Sequence, residues 1–102
     1  MEDLHYNFTC MAAPVQAEGI ICDRPFYFRA RHESWSFAVS ENPEIDPTEI
    51  ESLEQGSACG FFVEQQYGDE SFAASYMPLD EAAKIIERCA EKYLRARIKR
   101  KI

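Results

Sequence analysis

Four cysteines, two histidines and eighteen carboxylates hold whatever nucleophilic, metal-binding or proton-transfer chemistry this 102-residue chain commands. Cys10, Cys22, Cys59 and Cys89 form no C-x-x-C pair, which removes the spacing of a zinc ribbon or a thioredoxin-type redox site. Thiols alone leave the disulfide connectivity open. His5 and His32 have no H-x-x-x-H partner and no carboxylate cluster beside them, so no metal is expected. An acid–base dyad could be drawn from any two carboxylates and so has no signature. The glycines, Gly19, Gly56, Gly60 and Gly68, are scattered at turns and strand ends rather than gathered into a phosphate-cradling loop. The residue types therefore point to a chain with no catalytic residues and no cofactor. A small enzyme, needing a cysteine–histidine pair that meets only in space, is the least supported reading.

Period-two alternation places many of these residues on strands. Val15, Ala17, Gly19 and Ile21 point one way, Gln16 and Glu18 the other. Turn residues Cys22-Asp23-Arg24-Pro25 precede a strand with Phe26, Phe28 and Ala30 on one side and Tyr27, Arg29 and Arg31 on the other. Beyond His32-Glu33-Ser34, Trp35, Phe37 and Val39 alternate with Ser36, Ala38 and Ser40. Three strands on short loops predict an antiparallel meander with one buried and one wet face. Residues 1–13 show no sustained period and read as a loosely held arm, with a short strand through Tyr6, Phe8 and Cys10 as an option.

Asp46 is placed to cap a short helix, with Pro47 at its first position, Glu49 at capping-box spacing, and Ile50 and Leu53 on its apolar edge. Phe61 and Val63 begin another strand, Gly68-Asp69-Glu70 turns, and Ser71 to Met77 returns with Phe72, Ala74 and Tyr76 alternating. Pro78 opens a last helix with Asp80 and Glu81 in its first turn, where carboxylates complement exposed N–H groups. Leu79, Ala82, Ala83, Ile86, Cys89, Ala90, Tyr93 and Leu94 form its apolar stripe. Cys89 in that stripe and Cys59 beside a strand are expected to be structural thiols. The predicted architecture is α+β and one domain over 1–102: an antiparallel sheet of about five strands, a short acidic helix, and a long C-terminal helix packed on one face.

Charge is unevenly spread. Residues 1–83 carry a balance of −13 and residues 84–102 one of +6, for a net −7. Glu41, Glu44, Asp46, Glu49, Glu51 and Glu54 follow one another with no basic residue between them, and Asp69 and Glu70 make a second acidic turn. The plain account is a solvated segment that keeps a small protein soluble. The sharper account is an anionic surface shaped for a basic groove. Helical neighbours three or four apart sit about 5–6 Å apart at Cβ, comparable to phosphates along a nucleic-acid strand. A lysine- or arginine-lined channel built for nucleic acid could accept such a surface. The basic C-terminal residues offset the helix dipole, and Arg95 to Lys101 exceed what capping requires. No apolar run approaches the roughly 20 residues of a membrane span, and Met1-Glu2-Asp3-Leu4-His5 lacks the features of a secretory leader, so a cytoplasmic protein is expected.

The stretch Pro14-Val15-Gln16-Ala17-Glu18-Gly19, then Arg24-Pro25-Phe26-Tyr27-Phe28-Arg29-Ala30-Arg31 and Trp35, with the tail Tyr76-Met77-Pro78-Leu79-Asp80-Glu81-Ala82, resembles small orphan proteins of bacteriophages and mobile elements. In size, acidity and orphan character the chain is similar to anti-CRISPR proteins, inhibitors of type I systems and the I-C subgroup foremost. The likeness spans residues 14–83 and is one of strands and turns. Anti-CRISPR proteins share no common fold, so no binding residue carries over by position. The resemblance implies a mode of action: a small protein of the host bacterial cytoplasm binds a Cas subunit of a type I effector complex and blocks recruitment of target DNA or of the nuclease, without chemistry.

The expectation is thus a monomeric inhibitor that touches neither nucleic acid nor membrane. It would dock through Glu41, Glu44, Asp46, Glu49, Glu51 and Glu54 together with Asp69 and Glu70. The alternative is a phage or bacterial interaction module of another kind, whose acidic partner meets Arg29, Arg31 and the basic C-terminal tail.

Overall fold

Five strands pair side by side in the order in which the chain makes them. The chain is seen here in a computed structural model that describes residues 4–11, 15–41, 44, 46–48, 60–68 and 74–101, the side chains of 11, 75 and 97–101 excepted. The strands are β1 (Leu4–Met11), β2 (Val15–Ile21), β3 (Arg24–Arg31), β4 (Ser34–Ser40) and β5 (Gly60–Gln66). Every neighbouring pair is antiparallel and the order is β1-β2-β3-β4-β5, which makes β1 and β5 the edge strands among the described residues. A 3₁₀ turn (Ala74–Tyr76) and the helix α1 (Leu79–Lys101) complete the described elements, an α+β arrangement.

Tight turns set the register. Cys22 and Asp23, with φ of 49° and 65°, join β2 to β3 in the left-handed pair of conformations that suits the twist of a two-residue hairpin. His32, at φ 57°, begins the equally short β3–β4 turn. The resulting cross-strand rows build the core. Tyr6, Gly19, Phe26, Val39 and Phe61 form one row across all five strands, and Phe8, Ala17, Phe28, Phe37 and Val63 form the next. Gly19 leaves room for its neighbour: a Cβ there would lie 2.5 Å from Tyr6 Cβ and 2.7 Å from Tyr6 Cα, inside contact distance. The Tyr6 ring reaches past that gap to Phe26, edge-on at 6.1 Å between centroids. Buried Ala82, Ile85, Ile86, Cys89, Ala90 and Tyr93 of α1 belong to the same apolar cluster as these rows. Phe61 meets Tyr93 edge-on at 5.6 Å.

Three expectations are corrected. The N-terminal residues are not a loose arm: Leu4–Met11 is a full edge strand. Its period is hidden because the register slips between Phe8 and Cys10, so that Cys10 stands opposite Gln16 on the other face. The return through Ser71 to Met77 is not a strand over Ala74–Tyr76, which is a 3₁₀ turn. There the spacing that buries is three rather than two: Ala74 and Met77 are in the core and Tyr76 is 73% exposed. Ala74 N–H donates to the His32 carbonyl at 2.8 Å, which ties this turn to the β3–β4 hairpin. Finally, the face expected to be wet is partly covered, since Ala38 and Ser40 are buried. Asp46, Pro47 and Thr48, from the connection after β4, share a cavity on that face with Glu18, Ile20, Pro25 and Tyr27.

Candidate functional site

The acidic residues divide into two groups of different character. Glu41 lies one step past β4 and faces the core side. Its Oε2 accepts from Arg24 Nε at 3.1 Å, and its Oε1 accepts from the buried Tyr93 hydroxyl. Strand end, neighbouring strand and helix are joined by this one carboxylate, which makes Glu41 a structural latch. Glu44 and Asp46, in contrast, are exposed. Asp46 Oδ1 accepts from both Thr48 N–H at 2.9 Å and Thr48 Oγ1 at 2.8 Å, an Asx turn that fixes the carboxylate against the backbone two residues on. These hydrogen bonds, backbone first, hold its carboxyl below the usual aspartate range, so it stays charged. Glu49, Glu51, Glu54, Asp69 and Glu70, with most of the expected acidic helix, lie outside the described residues.

The Arg24 half of the latch was within reach of the sequence. A two-residue turn at His32-Glu33 pairs Phe26 with Val39, and the same register carried one step further sets Arg24 opposite Glu41.

On the outer face of the sheet the register aligns Cys10, Gln16, Arg29, Ser36 and Glu64 across the five strands. Arg29 Nε is buried and has no hydrogen-bond partner among the described residues. Its row offers one carboxylate, Glu64, two strands away or about 10 Å along the sheet. Arg31 is exposed and Tyr27 half-buried beside it. Burial is the main reason that the Tyr27 phenol is held above its ordinary value, with Arg29 pulling it back. A guanidinium with an unused donor, next to a second arginine and a neutral phenol, is equipped to receive a carboxylate or phosphate.

The nucleophile candidates are placed for packing. Cys22 is half-buried and Cys89 buried, and neither forms a disulfide. Burial pushes the Cys89 thiol up to about 11, against the pull of Lys92 and Arg88, so it is protonated at neutral pH. Cys59 lies outside the described residues. His5 and His32 are exposed, the first on β1 and the second at a turn. Among the described residues no three histidine, cysteine or acidic side chains converge as metal ligands. No helix among them is long and apolar enough to cross a membrane.

No protein-family model, curated protein or solved structure matches this chain.

Proposed function

We propose that the protein is a non-catalytic inhibitor that occupies a basic, nucleic-acid-handling groove with an acidic surface, its target a Cas subunit of a type I CRISPR effector in the bacterial cytoplasm. In this reading the partner meets the exposed Glu44 and Asp46. Glu49, Glu51 and Glu54 of the same acidic run, with Asp69 and Glu70, complete the set of docking carboxylates. The observation that carries the reading is the exposure of Glu44 and Asp46 within a run of six carboxylates free of basic residues. Glu41, as the latch, contributes by holding the end of β4 in place rather than by touching the partner.

The test is a pull-down against purified type I effector complexes, with DNA-binding gels at low and high salt. The triple variant Glu44→Lys/Asp46→Lys/Glu49→Lys should keep the fold and lose inhibition. Inhibition by the parent should weaken steeply with salt, because steering between unlike charges is screened. Full potency in the triple variant would dispose of the electrostatic docking.

A second reading is favoured by the unused donor of Arg29. There the outer face, with Tyr27, Arg29, Arg31 and the basic tail, meets an acidic partner. Arg29→Ala/Arg31→Ala, or truncation after Leu94, would then abolish binding, whereas on the first reading both leave it nearly unchanged.

A further inference from the structure

Beside β5, an edge strand among the described residues, α1 and the sheet form a cleft of about 190 Å³. Its floor is apolar and buried: Trp35, Ile85 and Cys89 are 7%, 3% and 2% exposed. Its rim on the helix side is basic, formed by exposed Arg88 and Lys92. At the other end Glu81 is occupied by the Tyr67 hydroxyl, which donates to its Oε2 at 2.7 Å. The volume falls below the range of about 300–1,000 Å³ typical of small-molecule sites but is ample for a single large side chain. Being an edge, β5 turns half of its backbone N–H and C=O groups away from β4. Among the described residues no backbone hydrogen bond outside the sheet involves residues 60–66.

We propose that this edge and cleft form a docking site for an extended acidic segment of a partner protein, which adds to β5 as a sixth antiparallel strand. One apolar side chain of the segment fills the cleft, and two acidic side chains on the same face meet Arg88 and Lys92. The spacing supports this occupant. Residues four apart on a helix are about 6 Å apart along its axis, and alternate residues of a strand about 6.8 Å apart. The matching pattern is therefore apolar-x-acidic-x-acidic. Backbone pairing supplies affinity, and the cleft and two cations supply selection. The site is separate from the acidic run and from the outer-face arginines, and it stands or falls without them.

The probe is a fluorescein-labelled peptide, Thr-Leu-Thr-Asp-Val-Asp-Thr, titrated by anisotropy against the full chain at low salt. Binding should saturate with a Kd below about 1 mM, near −4 kcal/mol. It should weaken at least about tenfold in Arg88→Glu/Lys92→Glu, whose exposed sites leave the fold intact by circular dichroism, and when both aspartates of the peptide become lysines. N-methylation of one alternate set of peptide amides should abolish binding while the other set is tolerated, the signature of strand addition. Absence of binding to about 1 mM, equal affinity in the charge-reversed variant, or indifference to both N-methylated sets would each overturn the proposal. So would sedimentation showing that a second copy of the chain already occupies the β5 edge.

Discussion

Replacing Glu41 by alanine should destabilise the protein by about 2–3 kcal/mol, although an acidic residue in an acidic run would ordinarily be taken for surface decoration. The magnitude follows from its two partners. Tyr93 is 1% exposed, and its hydroxyl donates to the carboxylate. A hydrogen bond to a charged group is worth about 1.5–3 kcal/mol. The Arg24 side chain is 39% exposed and that of Glu41 25%, so their pair adds no more than about 1 kcal/mol. Urea unfolding followed by Trp35 fluorescence measures the loss directly. In a heat scan the midpoint should fall on the order of 10–20 °C, since each kcal/mol moves a domain of this size by about 4–8 °C. A double-mutant cycle with Tyr93→Phe should show coupling of about 1 kcal/mol or more, and one with Arg24→Ala clearly less. A cost below about 0.5 kcal/mol, or additivity in the Tyr93 cycle, would refute the latch and return Glu41 to the docking surface.

Other consequences of the fold are as open to measurement. Gly19→Ala should cost about 1–3 kcal/mol in urea unfolding, because the added methyl meets the His5 carbonyl oxygen first and then the Cβ and Cα of Tyr6, none of them a flexible side-chain tip. His32→Gly should stabilise by roughly 0.5–1 kcal/mol, since relief of a left-handed backbone costing roughly 1–2 kcal/mol exceeds the chain entropy of glycine, roughly 0.5–1 kcal/mol. At pH 8 about one Cys89 thiol in a thousand is ionised, so iodoacetamide should label Cys22 well before Cys89 in the folded protein, as peptide mapping would show; equal rates would contradict the burial. The Tyr67 phenol is raised, first by its hydrogen bond to Glu81 and then by burial. The folded state thus holds this proton more tightly than the unfolded one. Its contribution is complete below pH 10 and is lost as pH rises through the folded value, so Tyr67→Phe should flatten the alkaline loss of stability.

Much of the scaffold was legible because strand alternation and short turns are local. Val15–Ile21, Arg24–Arg31 and Ser34–Ser40 carry a clean period of two, and their hairpins leave few ways to connect them. The edge strand was harder to see. One extra residue between Phe8 and Cys10 moves Cys10 to the opposite face and breaks the alternation that would have announced it. Ala74 and Tyr76 misled in the other direction, since a 3₁₀ turn and a short strand are indistinguishable over so few residues. Ile85, three positions after Ala82 and four before Cys89, is buried with the helix stripe and belongs to it by spacing as well.

The division at the candidate sites has the same origin. Composition and order alone determined the acidic body, the basic C-terminal end, the absence of a motif built on neighbouring residues, and the strand that carries Tyr27, Arg29 and Arg31. Tertiary structure decided which charges are available. It took Glu41 out of the acidic run by giving it Tyr93, fifty-two positions away. Among the described residues it also left Arg29 Nε without a hydrogen-bond partner and set Arg88 and Lys92 over an apolar cleft beside an edge strand. Charge is a property of a residue and is present in the sequence, whereas neutralisation and exposure belong to pairs of distant segments and exist only once the chain has folded.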